Sequence, residues 1–288
     1  MVSPAVARFA VGILGNIISF SLYLSPMPTF IRICKKGSVE QYSATPYLLT
    51  FLNCMLWTIY GMPFIQPNNI LLSTISASGC LIESIYLMLF IINTENKKKK
   101  ITLIILVLGE ILAVGIALAL VLTFMHTSKD RTRIFGLLGD VSGVLMYASP
   151  LAVMKQVVKT KSVEYMPLAV SVTCFGSAVI WTLYAIRPFD PYVVAPNAIG
   201  CFLGLAQLIL YAFYYKSTKQ QMAAKEVAEI EKVEMGLKEI IVVTREPNKV
   251  NNLPENDYPT LQENDYPTLA ENDCPTLKQK ENDFDTNI

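Results

Sequence analysis

The chain has 288 residues, of which 52 % are apolar and only 16 % are charged, and its formal net charge is +1. Charged residues are concentrated after Lys216, so the part before it is too apolar for a water-soluble domain. The near-neutral charge and the lack of a basic stripe with interleaved aromatic residues argue against nucleic-acid binding. The composition therefore predicts an integral membrane protein.

Seven apolar stretches each approach the ~20 residues that a helix needs to cross a bilayer. They lie at residues 6–33, 44–65, 69–92, 101–124, 134–154, 166–186 and 191–215. The first stretch lacks the basic segment and small-residue cleavage site of a signal peptide, so we expect it to be retained. The sequence thus predicts seven transmembrane helices.

One sequence unit occurs twice. Residues 52–61 (LNCMLWTIYG) return as residues 176–185 (GSAVIWTLYA), and in each copy a tryptophan precedes a tyrosine by three positions. Trp57 and Trp181 are 124 positions apart, since 181 minus 57 is 124. Other pairs keep this offset or one of 121, as a three-residue length change between the copies would give. The chain therefore contains an internal repeat.

The repeat divides the seven spans into two sets of three. Spans one to three form one copy, spans five to seven form the other, and span four connects them. A single connecting helix gives both copies the same orientation, so we expect a pseudo-two-fold axis along the membrane normal and a path between the copies. The predicted fold is an all-α membrane protein with a 3+1+3 arrangement. Its parts are a first repeat at 1–95, a connector at 96–128, a second repeat at 129–216 and a cytosolic, largely disordered tail at 217–288.

The basic residues of the loops predict the orientation. If the N-terminus is outside, the cytosolic loops carry twelve Lys and Arg residues and the opposite loops carry five. The positive-inside tendency therefore favours an outer N-terminus and a cytosolic C-terminus.

Polar and indole side chains recur near the middle of the predicted spans. They are Asn53, Trp57 and Ser76 in the first copy and Ser177, Trp181 and Asn197 in the second. Neutral hydrogen-bonding groups beside flat aromatic faces are typical of a site for a polyhydroxylated ligand. The alternative is that the polar groups only join helices and the indoles only fill space.

Two further sets are expected at the ends of the path. Four prolines lie toward the cytosolic ends of spans one, two, five and six, where each weakens its helix locally and the four can form a ring of hinges. They are Pro26, Pro46, Pro150 and Pro167. At the opposite mouth, Tyr60, Tyr184 and Asp190 can close a hydrogen-bonded outer gate.

Three acidic residues, Glu83, Glu110 and Asp140, lie inside the predicted spans. Such residues are candidates for a proton relay. No basic residue lies deep in a span to pair with them, so we favour a structural role and keep proton coupling as the alternative.

Four segments together resemble the plant SWEET sugar transporters, also called the MtN3/saliva family. They are GNIISFSLYLSPMPTF, PYLLTFLNCMLWTIYG, YASPLAVMKQVVKTKSVEYMP and PNAIGCFLGLAQLILYAFYYKS, and the likeness covers about residues 6 to 217. The branch that it resembles most prefers hexoses such as glucose. The resemblance implies a facilitator without a cofactor that alternates between inward-open and outward-open forms, in assemblies of family members. It also implies the same four prolines, a gate of Tyr60 with Asp190, and a sugar pocket that adds Ser19 and Leu22.

One position departs from the family pattern. Many relatives read TINGTG in span three, whereas this chain reads TISASG from Thr74 to Gly79, so that Ser76 replaces an asparagine. The hydroxyl is shorter than an amide and offers fewer hydrogen bonds. We therefore expect weaker hexose binding or a shifted sugar preference.

Other classes of function are less well supported. A proton-coupled sugar symporter is the main alternative, and a seven-span receptor is a weaker one because such receptors lack this duplication. The spans contain no metal-ligand spacing and no nucleophile with a base, so neither a metal site nor an enzyme is predicted. We expect a plasma-membrane location, with the vacuolar membrane as the alternative.

The part after the last span has two features of its own. Apolar residues at helical spacing between Lys225 and Val243 predict a short amphipathic helix. Farther on, ENDYPTLQ, ENDYPTLA and ENDCPTLK begin at residues 255, 263 and 271. These octapeptides either recruit an unidentified partner through multivalency or belong to a drifting low-complexity tail.

Overall fold

The computed structural model describes residues 3–39, 42–67, 69–164 and 166–245. Within these ranges, every regular element is an α-helix. The chain divides into two units, Met1–Lys225 and Glu226–Ile288, and the first unit contains the helix bundle.

The helices follow one another with short connections. They are α1 (Pro4–Leu24), α2 (Met27–Lys36), α3 (Thr45–Tyr60), α4 (Ile70–Asn93), α5 (Lys97–Phe124), α6 (Ser128–Met146), α7 (Ala148–Thr160), α8 (Leu168–Ile186) and α9 (Pro191–Arg245).

Two of the predicted spans are each broken into two helices. Span one consists of α1 and α2, which separate at Ser25 and Pro26, and span five consists of α6 and α7, which separate at Tyr147. At both breaks the backbone tightens, because Ser25 donates to the Leu22 carbonyl and Tyr147 donates to the Val144 carbonyl. Pro26 lies at the first break, and Pro150 follows the second break by three residues, in the first turn of α7. The two repeats are therefore bent at corresponding places.

The other two predicted hinge prolines lie where a whole span begins and not at a break within a span. Pro46 is in the first turn of α3, and Pro167 is the residue that caps the N-terminus of α8. A proline at the start of a helix removes no intrahelical hydrogen bond, so these two can bend the chain only where it enters the helix and not by weakening the helix itself. A proline inside a helix does occur at Pro196 of α9, which was not predicted as a hinge.

The packing of the helices follows the duplication. The first helix of each repeat contacts the middle helix of the other repeat, since α1 packs on α8 and α6 packs on α3. Helix α4 packs on α1 and α3, and the connector α5 contacts α3, α4 and α6. Buried positions on α5 are confined to Leu103, Val114 and Val121. The rest of this apolar helix is exposed or half-buried, as suits a surface in contact with lipid.

Glycines allow close packing at the two contacts between the repeats, α1 with α8 and α6 with α3. A Cβ atom on Gly15 of α1 would lie 3.1 Å from the Trp181 indole, and one on Gly139 of α6 would lie 3.0 Å from the Trp57 indole. These two glycines are themselves 124 positions apart, since 139 minus 15 is 124. Each tryptophan therefore packs against a glycine of the other repeat.

Six helical stretches of the described chain are long and apolar enough to cross a membrane. They are Ala5–Lys36, Ile70–Asn93, Lys97–Phe124, Ser128–Thr160, Leu168–Ile186 and Pro191–Lys238. The remaining predicted span is α3, which has 16 residues. At 1.5 Å per residue this helix is about 24 Å long, close to the thickness of a bilayer core.

The last helix differs from the prediction. Span seven was expected to end at 215 and to be followed by a separate amphipathic helix within 225–243, but α9 is one helix from Pro191 to Arg245. The expected tail from 217 therefore begins as helix. The three octapeptides lie outside the described residues.

Candidate substrate site and gate

A cavity of about 280 Å³ lies between the two repeats. All eight residues predicted for the sugar pocket line it, namely Ser19, Leu22, Asn53, Trp57, Ser76, Ser177, Trp181 and Asn197. They come from α1, α3, α4, α8 and α9. The fold therefore brings together side chains that are far apart in the sequence, and none of the eight is ionisable.

One side of the cavity has a closed hydrogen-bond network. The indole N–H of Trp181 donates to the hydroxyl of Ser19 over 2.9 Å, and the Ser19 and Ser177 hydroxyls lie 3.2 Å apart. All three side chains are buried. The polar groups of Trp181 and Ser19 are thus used within the protein.

The opposite side has a different arrangement. Gly143 stands where the repeat would place the counterpart of Ser19, since 143 minus 19 is 124. No acceptor for the Trp57 indole N–H is found in the described part of the chain. The Asn53 amide donates instead to the Ser142 hydroxyl over 2.7 Å. Trp57 thus lines the cavity with an indole N–H that no described group accepts, whereas the Trp181 N–H is accepted by Ser19.

Ser76 and Asn197 complete the lining. Ser76 is only 4 % exposed. The side-chain amide of Asn197 donates to the Val193 carbonyl one turn earlier on α9, over 2.8 Å. This contact orients the amide while leaving its oxygen available as an acceptor.

Several lining residues were not predicted from the sequence. The most polar of them is Tyr147, whose hydroxyl donates to the carbonyl of Pro196. The repeat contained a signal for it, because Tyr147 follows Tyr23 by 124 positions and both tyrosines line the cavity. The other additions are apolar or glycine, namely Leu72, Ile75, Gly143, Met146, Val193 and Pro196.

A chain of polar contacts closes the bundle beside this cavity, and we call this end the gate end. The Tyr60 hydroxyl donates to one carboxylate oxygen of Asp190 over 2.7 Å, and the Asn69 amide donates to the other oxygen over 2.9 Å. These three residues are at most 4 % exposed. Because Tyr60 and Asn69 belong to the first repeat and Asp190 to the second, the contacts join the two repeats.

Arg8 extends the chain of contacts. Its Nη2 donates to the Asn69 side-chain oxygen over 2.6 Å, and its Nε donates to the Tyr184 carbonyl over 3.2 Å. The guanidinium lies 4.2 Å from the centre of the Tyr184 ring, within the range of a cation–π contact. Tyr184 therefore contributes through its ring face and its backbone carbonyl.

Neither Arg8 nor Asn69 was predicted from the sequence to be part of the gate. For Asn69 a signal existed, since Asn69 and Asp190 are 121 positions apart, which is one of the two repeat offsets. The gate also contacts the cavity lining directly. The ring centroids of Trp57 and Tyr60 lie 5.1 Å apart, and those of Trp181 and Tyr184 lie 5.3 Å apart.

A second cavity, of about 460 Å³, continues from the first toward the end opposite the gate. The two cavities share Leu22, Met146, Tyr147, Ser177 and Asn197 as lining residues. Two of the predicted hinge prolines, Pro150 and Pro167, line the second cavity. The structure is thus closed at the gate end and hollow on the other side of the site.

The three acidic residues lie elsewhere. Glu83, Glu110 and Asp140 are not among the described residues that line either cavity. Each has one carboxyl oxygen that is buried without a hydrogen-bond partner. The three therefore lie outside the lining of the cavity between the repeats.

Comparison with known proteins shows the family. A family model described as "sugar efflux transporter for intercellular exchange" matches residues 9–98 and 133–219. The chain belongs to the SWEET (MtN3) family of sugar transporters. The family model matches the two repeats and omits the connector α5 between them, in agreement with the predicted 3+1+3 arrangement of seven transmembrane helices.

SWEET proteins of two plants are similar along most of their length. "Bidirectional sugar transporter SWEET7" of Arabidopsis thaliana is 50 % identical over 219 residues, which are 76 % of this chain and 85 % of that protein. "Bidirectional sugar transporter SWEET4" of Oryza sativa subsp. japonica is 47 % identical over 235 residues, or 82 % of this chain and 90 % of that protein.

The fold is similar to that of a solved SWEET structure. "The 3.7 A resolution structure of a eukaryotic SWEET transporter" matches with a TM-score of 0.71 and 33 % identity, over 74 % of this chain and 98 % of that chain. This SWEET chain is therefore a multi-pass membrane transport protein and not an enzyme. The family assignment gives no support to the alternative of a seven-span receptor.

Proposed function

We propose that this protein carries hexoses such as glucose across a membrane, in both directions and without coupling to protons. The sugar occupies the cavity between Trp57 and Trp181. The gate of Tyr60, Tyr184 and Asp190 closes one side while the other side is open, and the four prolines serve as the hinges of the exchange.

The neutral lining of the cavity is the observation that carries this proposal. Two indoles and seven side chains with a hydroxyl or an amide line one space, and no charged group is among its described lining residues. Such a lining replaces the water around a sugar hydroxyl without attracting ions. The volume of about 280 Å³ lies just below the usual range for a ligand site and accommodates a monosaccharide.

The asymmetry between the two ends supports alternating access. Asp190 is bound by Tyr60 and by Asn69 across the repeat boundary, so the gate end is sealed by buried contacts. The opposite end contains the second cavity. Opening the first end requires these contacts to break, and a sugar that binds both forms equally well can move either way.

The proposal also includes the orientation of the protein, the membrane that contains it and its assembly. With the N-terminus outside, the gate end faces the exterior and the run from Lys97 to Lys100 faces the cytosol. We place the protein in the plasma membrane, with the vacuolar membrane as the alternative. We also propose that it assembles with itself or with other family members, each protomer having its own cavity.

Uptake of radiolabelled glucose tests the proposal. Cells without their own hexose carriers express the full chain, and uptake is measured at two external pH values with and without a proton uncoupler. We expect uptake that reaches equilibrium, is indifferent to pH and survives the uncoupler. Accumulation above equilibrium that the uncoupler abolishes would show a symporter, and an absence of glucose uptake with surface protein verified would contradict the hexose assignment.

A further inference from the structure

A third cavity lies at the gate end between α1, α4 and α8. Its volume is about 450 Å³, and it shares no described lining residue with the substrate cavity. Two arginines line it, Arg8 from the first repeat and Arg187 from the second, and no acidic side chain is among its described lining residues. The cavity therefore has a positive charge and attracts an anion.

The two arginines stand at the level expected for lipid headgroups. Arg8 lies in the second turn of α1, and Arg187 directly follows the last residue of α8. Both are thus at the ends of membrane-spanning helices. Basic side chains at such positions reach the interface between the hydrocarbon core and water.

The remaining wall of the cavity is apolar and open to the membrane. Phe9 is 58 % exposed and Ile70 is 50 % exposed, and both line the cavity. Below Phe9, Ile13 and Ile17 continue the exposed apolar face of α1. A soluble anion would contact only the arginines, whereas an amphiphile would contact both parts of the wall.

We propose that this cavity binds a phospholipid, with the phosphate between Arg8 and Arg187 and an acyl chain along Phe9 and the exposed face of α1. The Arg187 guanidinium can pair with phosphate oxygens through two parallel hydrogen bonds, and Arg8, which already donates to Asn69 and Tyr184, adds its positive charge. The apolar wall buries part of the chain, so headgroup and chain together select a lipid over free phosphate.

The site also adjoins the gate. A phosphate between Arg8 and Arg187 ties the first repeat to the second at the gate end. Arg8 also contacts Asn69 and Tyr184 in the gate. A lipid bound there would therefore contact the gate through Arg8.

Lipid retention by the purified full-length protein tests the binding site without any sugar. The protein is titrated with phosphatidylglycerol, and bound lipid is counted by native mass spectrometry. We expect Arg187→Gln to weaken retention about fivefold, the effect of one basic residue at a membrane surface, and Arg187→Lys to restore most of it. The control is Arg133→Gln, since Arg133 is exposed on α6 and does not line the cavity.

Each result decides the proposal. Selective loss in Arg187→Gln supports it, and equal retention in Arg187→Gln and Arg133→Gln overturns it. Inorganic phosphate is titrated in a parallel arm. If phosphate binds with the same dependence on Arg187 while phosphatidylglycerol does not, the ligand is a soluble anion and the lipid assignment is wrong. Failure of glucose transport would leave these binding results unchanged.

Discussion

The two repeats place a tryptophan at corresponding points of the substrate cavity but give the two indoles different neighbours. Trp181 donates to Ser19, whereas the position equivalent to Ser19 beside Trp57 is Gly143. Both rings pack against a glycine of the other repeat, so their positions are equivalent while their hydrogen bonding is not. The duplication thus places the two indoles at equivalent positions. The difference between Ser19 and Gly143 makes their hydrogen bonding asymmetric.

The repeats also differ at the end opposite the gate. In the first repeat Phe30 stacks on Tyr86 with a centroid distance of 4.3 Å, and Tyr47 packs edge-on against both rings. In the second repeat the second cavity reaches Gly204 and Gln207 of α9. Gln207 is the counterpart of Tyr86 at the 121 offset, since 207 minus 86 is 121. At this end, aromatic side chains fill the first repeat, whereas the second repeat contains a cavity.

The largest effect is expected at the gate, where the two repeats meet. Asp190→Asn keeps the shape of the side chain but replaces one acceptor by an NH₂ group, so that Tyr60 or Asn69 faces another donor. A buried polar group without its partner costs about 1–3 kcal/mol. We expect the closed gate to be destabilised and glucose uptake to fall at least tenfold at equal surface expression.

Asp130→Asn is the matched control, because Asp130 is an exposed acid in the first turn of α6. It should leave uptake within about twofold of the unmodified protein, the scatter expected for a surface change of ~0.5 kcal/mol. Near-normal uptake by Asp190→Asn would mean that these contacts do not limit transport.

The next effect separates the two tryptophans. Trp57→Phe removes a donor that we assign to the sugar and part of the stacking surface, so the apparent KM for glucose should rise about tenfold, from a hydrogen bond of about 0.5–1.5 kcal/mol with some lost contact. Trp181→Phe removes a donor that already serves Ser19, and its KM should rise less. Concentration-dependent uptake by both variants measures the difference, and equal changes would refute the asymmetric roles.

A smaller gain is expected from Ser76→Asn, which restores the residue that the family pattern has at this position. Asn197 is the counterpart of Ser76 at the 121 offset, since 197 minus 76 is 121. An added amide would make the cavity more symmetric and offer the sugar one more hydrogen bond, lowering the KM for glucose by up to about tenfold. An unchanged KM would indicate that water already takes the place of the amide.

Much of this architecture could be predicted because the duplication is visible in a few residues. The offsets of Trp57 with Trp181 and Pro26 with Pro150 define the repeats, and apolar length defines the spans. Six of the eight cavity residues follow from matching depths on paired helices, whereas Ser19 and Leu22 were expected only from the family resemblance. Contacts made by long side chains and the exact ends of helices do not follow from the spacing of residues in the sequence.

Arg8 illustrates this limit. Arg8 is one of the five basic residues assigned to the outer side from the sequence, yet its side chain reaches from α1 to Asn69 and Tyr184. The length of α9 is another example. The rise in charge after Lys216 predicts an end to the membrane span, but charged residues such as Lys and Glu favour helix as well as water, so the helix continues.

The smallest effect is expected from exchanging the partners of the two tryptophans. Gly143→Ser supplies the hydroxyl that Trp57 lacks, and there is room for it, because a Cβ at Gly143 would come no closer than 3.9 Å to the Asn53 amide. The indole would then be satisfied within the protein, as Trp181 is by Ser19, and the sugar would lose its donor. The new hydroxyl can itself bind the sugar, so the KM for glucose should rise only about threefold, within the range of one neutral hydrogen bond.

Ser19→Gly should do the reverse and free the Trp181 donor. Gly176→Ser is the control, since no atom lies within 4 Å of a Cβ there. A KM for Gly143→Ser equal to that of this control would show that the hydrogen bonding of Trp57 does not contribute to sugar binding.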